Sequence, residues 1–289
     1  MPARKRGSDS AFSVGDASVS IYNVGDFQVD LLEIFGDDGR RFFDADKTKV
    51  YFPSNSTLID YQSVKIIVDP GDSAKVTALM PPAEVPPGPF VPLVEQLKNK
   101  GVDPNEITHV LVTHLHDDHF VGVTKMTGGR WVPSFPRATH LIPTRDWTMP
   151  EIVEARNKVD APIQETLRII EKAGLLQFVD GKKEVAPGIF LEPSHGESPG
   201  HQIVCVTSRG ERGYCIGDLY HVKEEVEHPE LMGTWADGKA VLESRKEFAG
   251  RASQERALIF SGHMEPGMIS VEGDRARWSP FSMEAETQA

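Results

Sequence analysis

The sequence is short of the features that would place it in several large protein classes. Its 289 residues contain two cysteines, Cys205 and Cys215. That is too few for a disulfide-framed secreted domain, and the pair lacks the C-x-x-C spacing of a redox or zinc-ribbon site. Each cysteine sits in a short apolar run flanking the turn at 208–213. The two could therefore approach across a hairpin, and in a reducing compartment they read as buried core thiols. No stretch nears the ~18 consecutive apolar residues that a membrane span needs. Residues 1–10 are basic but have no apolar run, unlike a secretory signal, so cytoplasmic location is the expectation. Positive charge is scarce: 31 Lys and Arg face 43 Asp and Glu, a net charge of -12. Such a surface repels phosphate backbones, which argues against nucleic acid as a partner. There is no G-x-S-x-G elbow to present a nucleophilic serine, and no internal repeat.

What remains is an ordinary globular composition, 39% apolar and 26% charged, long enough to bury a substantial core. Residues 1–16 read as a disordered or extended lead-in and 17–289 as a single domain. Alternating strands are predicted at 18–22 and 27–35, separated by a Gly25-Asp26 turn. Further strands are predicted at 56–60 and at 64–68, the latter running into Asp69-Pro70-Gly71. Six prolines at 81–92 predict a loop. A helix at 93–100, a strand at 107–112 and a strand at 139–143 follow. The longest helical pattern runs from 151 to 173, interrupted near Pro162. Strands at 189–191, 202–207 and 212–216, a helix at 238–251 and a strand at 257–260 complete an α/β pattern.

The densest chemistry is His114-Leu115-His116-Asp117-Asp118-His119, directly after the 107–112 strand. Imidazole and carboxylate are the usual ligands of Zn²⁺ and related divalent ions. A strand that ends in such a cluster delivers several of them to one point from a rigid base. Other polar groups also follow apolar runs: Asp218 after Gly217, His263 after Gly262, and the segment His195-Gly196-Glu197-Ser198-Pro199-Gly200-His201. Taken singly, each of these is as ordinary as a turn residue or a hydrogen-bonded histidine.

Together they make the chain resemble the metallo-β-lactamase superfamily. The resemblance rests on Thr113 to His119, Val68-Asp69-Pro70-Gly71, Glu197 to His201, Gly217-Asp218 and Gly262-His263. Three stretches are similar to the branch of methyl parathion hydrolase and lactonase-like enzymes: 135–143 with Asp146-Trp147, Gly217 to His221, and His263 to Gly267. The resemblance implies an αβ/βα sandwich with a binuclear metal site at the sheet edges. His114 and His116 would hold one ion and Asp118, His119 and His263 the second. Asp218 would bridge them, with Asp117 behind the ligands and Asp69 orienting one. The third motif departs from the family, because Glu197 stands where a histidine ligand is usual. Glu197 is then itself the ligand, or His195 or His201 replaces it, or the first site is weak or empty. A glutamate ligand would shift preference from Zn toward Mn or Fe.

The implied activity is metal-dependent hydrolysis of a small ester, lactone, amide or organophosphate. A water shared by two divalent ions would lose its proton near neutrality and attack the substrate. Asp118 is a candidate for proton handling, and Tyr220 or His221 for hydrogen bonding to substrate. Trp131, Phe135, Trp147 and Trp235 are candidate walls of an apolar pocket. The alternatives are an iron-dependent oxidoreductase resembling sulfur dioxygenases, and a non-catalytic member with an incomplete metal site. The partner expected is a small molecule, and a homodimer is the assembly that the resemblance allows.

Overall fold

A computed structural model describes residues 11–72, 91–158 and 161–281. The proline-rich loop predicted at 81–92 falls almost wholly outside these residues. The first half contributes β1 (Ala11–Val14), β2 (Ala17–Asp30), β3 (Lys49–Tyr61), β4 (Val64–Val68) and β5 (His109–Leu111). A separate hairpin follows, β6 (Thr124–Thr127) and β7 (Arg130–Pro133), then β8 (Thr139–Pro143) and β9 (Leu176–Val179). The second half contributes β10 (Lys183–Ala186), β11 (Ile189–Pro193), β12 (Gln202–Ser208), β13 (Glu211–Cys215), β14 (Leu258–Phe260), β15 (Gly267–Glu272) and β16 (Arg275–Pro280). These form two seven-stranded sheets, ordered β1-β2-β3-β4-β5-β8-β9 and β10 through β16.

The sheets face each other across Ile59, Ile66, Val68 and Leu111 on one side and Leu191, Val204, Val206 and Cys215 on the other. The outer face of the first sheet buries Ile67, Val110 and Ile142 against the helices Leu93–Asn99 and Leu167–Lys172. The outer face of the second buries Ile203, Cys205, Tyr214 and Ile259 against the helix Gly238–Glu255. Helix, sheet, sheet, helix is the αβ/βα sandwich. It explains the unbroken apolar runs Ile66–Val68 in β4 and Ile203–Val206 in β12: both faces of each strand are covered there. Each fully buried Ile or Val there contributes about 1.5–3 kcal/mol relative to exposure.

Several local expectations are corrected. Gly25-Asp26 is not a turn: β2 runs through it, paired with Ser54 and Pro53, with a bulge just before it between Asn23 and Gly25. There the Asn23 side chain accepts from the Gly25 amide (2.8 Å) and donates to Asp26 (2.9 Å), closing the irregularity locally. The predicted strand at 27–35 ends at Asp30, whose carboxylate accepts from the Leu32 amide and caps the helix Leu31–Gly39. Leu31 and Phe35, one helical turn apart, pack on Phe27, Phe52 and Leu231. The helical pattern at 151–173 is interrupted near Pro162 as expected, but more widely, leaving Pro150–Ala155, a turn at Pro162–Gln164 and Leu167–Lys172. Proline there forbids continuation. Cys205 and Cys215 are both buried and free. Cys215 pairs with Val204, and Cys205 with Tyr214. Alternation therefore sends the thiols to opposite faces of the sheet, not toward each other. Residues 11–14 of the expected lead-in form β1, paired antiparallel with β2.

His140, fully buried on β8, donates from Nδ1 to the Ala138 carbonyl (3.0 Å), while Nε2 has no hydrogen-bond partner. Burial drives its pKa from 6.5 down to about 4. The unfolded chain therefore takes up this proton first as pH falls. The stability this group contributes is complete above pH ~6.5 and is lost toward pH ~4, by at most ~3 kcal/mol. We expect urea unfolding of the metal-free wild type to weaken more between pH 7 and pH 5 than that of His140→Gln. Parallel pH dependences would refute it.

Candidate metal centre

The parallel strand pairs place the chemistry. β4 and β5 run parallel, as do β13 and β14. Asp69 follows β4, the His114–His119 segment follows β5, Asp218 follows β13 and His263 follows β14, so all gather beyond the carboxyl ends of these strands. Cross-links hold the two sheet edges together there. The Asn55 amide donates to the Gly262 carbonyl (3.0 Å), and its side chain donates to the carbonyls of Ser261 (3.2 Å) and Met264 (3.1 Å). The Gln202 amide donates to the Thr113 carbonyl (3.0 Å). Gly217 makes the close approach possible. Its φ is +49°, and a Cβ there would lie 2.4 Å from Thr113 Oγ1.

Two donor groups result. His114, His116, Glu197 and Asp218 bring ligand atoms within 4.8 Å of one another, and so do Asp118, His119 and His263. Asp218 joins them: Oδ2 lies 3.6 Å from His114 Nε2, while Oδ1 lies 3.2 Å from both His119 Nε2 and His263 Nε2. The third-motif position is taken by Glu197, with Oε1 3.1 Å from His116 Nδ1 and Oε2 3.5 Å from His114 Nε2. His195 and His201 stand in neither group.

Neighbouring groups orient these side chains. Asp69 accepts from the amide and hydroxyl of Thr113 (both 2.8 Å), and its Oδ2 meets His119 Nδ1 at 3.0 Å. His263 Nδ1 donates to the Pro53 carbonyl (2.8 Å), and its ring stacks on Phe52. His201 Nδ1 donates to the Ser194 carbonyl (2.9 Å), and Nε2 accepts from the Asp218 amide (3.2 Å). Burial holds His201 neutral, with its pKa lowered to about 3. Asp146, buried, ties two loops together: it accepts from the amides of Leu115 (3.1 Å) and Gly200 (2.5 Å) and from the Ser198 hydroxyl (2.8 Å).

The other candidates divide. His221 Nε2 lies 3.3 Å from Asp218 Oδ2, and its Nδ1 lies 3.3 Å from Glu225. Burial disfavours the charge of His221, but Glu225 and Asp218 outweigh it and hold the pKa well above the usual imidazole range. Tyr220 is corrected. Its hydroxyl donates to the Arg245 carbonyl (3.1 Å), and its ring packs in the core beside Phe248, so it is a packing residue turned from the ligands. Asp117 is exposed and belongs to neither donor group. Of the expected aromatic walls, Phe135 and Trp147 are buried in the outer core, whereas Trp235 is 46% exposed and reaches the centre. Sequence reasoning missed Glu225 and Arg245. Both lie on helices and carry no motif.

The donor set fits divalent metal. His119 Nε2, Glu197 Oε2 and Asp218 Oδ1 are buried and have no hydrogen-bond partner, a costly state that a cation at that point relieves. His114 Nε2 and His116 Nδ1 face each other at 2.9 Å. Burial, and then His119 and His116, push His114 well below the usual imidazole range, which leaves the neutral ring that a metal requires. Burial, reinforced by Asp218, raises the Glu197 carboxyl, a strain that nearby positive charge removes.

Asp69→Asn tests the buttressing. The replacement amide would present a donor to His119 Nδ1, turn that nitrogen into an acceptor and move the proton to Nε2, which then cannot ligate. We expect the affinity of the second site to fall about 10–100-fold. Competition between purified protein and a chelator reads this directly, and unchanged retention would count against the assignment.

A family model described as the metallo-beta-lactamase superfamily matches residues 51–263. The N-acyl homoserine lactonase AiiA of Bacillus thuringiensis subsp. kurstaki is 25% identical over 175 residues, 59% of this chain and 61% of that protein. The chain thus spans less than two thirds of the length of the curated relatives it matches. Among solved structures, AidC, a dizinc quorum-quenching lactonase in complex with a product, superposes with a TM-score of 0.73 at 20% identity, covering 95% of this chain and 97% of AidC. A probable metal-dependent hydrolase from Staphylococcus aureus gives 0.74 at 20% identity, covering 94% and 99%. At that identity these superpositions speak to the fold.

Proposed function

The chain belongs to the metallo-β-lactamase superfamily, and from that premise we propose that it is a metal-dependent hydrolase of small esters or lactones. The observation that carries the proposal is the pair of donor groups sharing Asp218. His114, His116, Glu197 and Asp218 would hold one ion, and Asp118, His119, His263 and Asp218 the other. Zinc is the first choice, since every donor is an imidazole or a carboxylate. When bound, two such ions supply Lewis acidity to a substrate oxygen and bring the pKa of water toward neutrality.

The chain's own residues do the rest. Asp218 fixes the spacing of the two sites. Asp118, 15% exposed against 4% for Asp218, is the carboxylate open enough to move a proton between water and the leaving group. His221, held at Nδ1 by Glu225, keeps Nε2 at the cluster and is placed to donate to a substrate oxygen. Lactones lead the substrate classes because the relatives are lactonases. Amides and organophosphates remain within reach of the same chemistry.

The test is metal analysis followed by a panel of chromogenic esters, lactones and phosphotriesters, with His116→Ala as control. About two metals per chain, and hydrolysis that His116→Ala abolishes, are expected. A chain that takes up no metal sinks the proposal. Glu197 favours a second reading, iron-dependent oxidation, because a carboxylate in the first site hardens it toward Mn or Fe. Preferential iron loading with oxygen uptake and no hydrolysis would select that reading.

A further inference from the structure

We infer that Trp235 is a positioning residue of the first metal site, holding one oxygen of Glu197 so that the other is the ligand. The inference rests on the metal centre proposed above, and its test reads metal rather than turnover. Trp235 Nε1 donates to Glu197 Oε1 at 2.9 Å. Glu197 is 3% exposed, and its second oxygen, Oε2, is buried, without a hydrogen-bond partner, and 3.5 Å from His114 Nε2. A carboxylate can chelate through both oxygens or bind through one. Oε1, which also lies 3.1 Å from His116 Nδ1, is engaged by the indole N–H, so the unpartnered Oε2 is the oxygen left free to bind metal, and the rotation of the carboxyl group is fixed.

Burial does not explain the placement of Trp235, since 46% of it remains exposed. Its position is built by the backbone instead. The Thr234 amide donates to the Ile34 carbonyl and the Asp237 amide to the Gly196 carbonyl, both at 2.8 Å. The second bond ties the residue before Glu197 to a loop residue two beyond Trp235. Both loops need their glycines. A Cβ on Gly233 would lie 2.7 Å from the Trp235 ring, and one on Gly196 would lie 2.1 Å from the Val241 amide nitrogen. The indole meets the rings of His116 and His221 edge-on, each at 5.9 Å. It therefore spans the mouth of the centre and reaches Glu197 from outside.

A glutamate ligand needs this support more than a histidine would. Two torsions orient an imidazole, whereas a glutamate has three and two equivalent oxygens. A hydrogen bond that removes one oxygen from the choice restores a single geometry. The partner is neutral, so the carboxylate keeps its charge for the metal.

The test compares zinc-loaded wild type, Trp235→Phe and Trp235→Gln in competition with a chelator. Phe keeps an aromatic wall but has no N–H. Gln gives up the wall but can offer an N–H. We expect Trp235→Phe to release one of its two zinc ions about 10–100-fold more readily while the other is unchanged, and Trp235→Gln to restore part of the loss. Equal retention of both ions by Trp235→Phe and wild type overturns the inference and leaves the hydrolase reading standing. A wild type that takes no zinc overturns both. Should the variants not fold, indole ¹⁵N spectra of the wild type decide. The Trp235 resonance, identified by separate Phe replacements at Trp131, Trp147 and Trp278, should resist solvent exchange and shift on zinc addition. Fast exchange with no shift overturns the inference.

Discussion

Asp218→Ala should release metal from both sites and cut hydrolysis about a thousandfold, a loss of ~4 kcal/mol of transition-state stabilisation. The expectation comes from position. Among the described residues, Asp218 is the one carboxylate within 3.6 Å of nitrogens from both donor groups, through different oxygens. Burial opposes its charge, but His119, His263 and His221 overcome that and hold its carboxyl well below the usual range. It is therefore anionic at every working pH and neutralises the cationic surroundings. Removing it leaves His221 facing the cluster without its acceptor and the two sites unlinked. Metal analysis and turnover should fall together. A variant that keeps two ions and a tenth of the activity would show that Asp218 is not the bridge. His116→Ala should differ, because it strips a ligand from the first site alone and leaves the His119–His263 pair intact.

Much of this centre can be read from the residues, and the reason is local. His114, His116, Asp118 and His119 lie within one turn after a strand, so their convergence needs no knowledge of the rest of the chain. Asp218 and His263 are also visible as polar residues after an apolar run and a glycine. Convergence of these segments from 145 residues of separation is a property of the sandwich, and only the family pattern supplies it in advance. Glu197 shows the limit. Motif position puts it at the ligand site, but whether the loop shifts to bring in His195 or His201 depends on Asp146. That buried carboxylate pins Ser198, Gly200 and Leu115 together through one hydroxyl and two backbone amides, contacts that no pattern reveals.

Failures elsewhere have the same origin. Tyr220 and His221 are neighbours in the turn that follows β13, and they face opposite ways. Without that orientation, the sequence offers either one to the substrate. The hydroxyl of Tyr220 goes to Arg245, and the imidazole of His221 goes to Asp218. Residues 27–35 alternate like a strand as far as Asp30 and then carry Leu31 and Phe35 at helical spacing. Two periods overlap in one short window, and the capping carboxylate of Asp30 decides between them. Trp235 reads as a loop aromatic because its value lies in one N–H aimed at a residue 38 positions away.

The largest stability effect should come from Arg245→Met. Arg245 is 1% exposed and Glu225 is fully buried. The guanidinium donates to Glu225 (2.5 Å) and to the carbonyls of Leu219 (2.8 Å), Pro229 (3.2 Å) and Leu231 (2.5 Å). Glu225 in turn accepts from the amides of His221 (2.5 Å) and Val222 (3.1 Å). Removing the arginine strands a buried carboxylate and three carbonyls, which costs about 3–5 kcal/mol. Urea unfolding of the metal-free protein measures it, and a loss under 1 kcal/mol would mean that water replaces the guanidinium. The double variant Arg245→Met with Glu225→Leu separates folding from site building. With no buried charge left, stability should return in part, as buried ion pairs replaced by apolar groups often permit. Hydrolysis should not return with it. His221 then has no carboxylate at Nδ1, and the 218–222 turn that carries Asp218 has lost the acceptor for two of its amides. A double variant that recovers stability and turnover together would show that this network serves the fold alone.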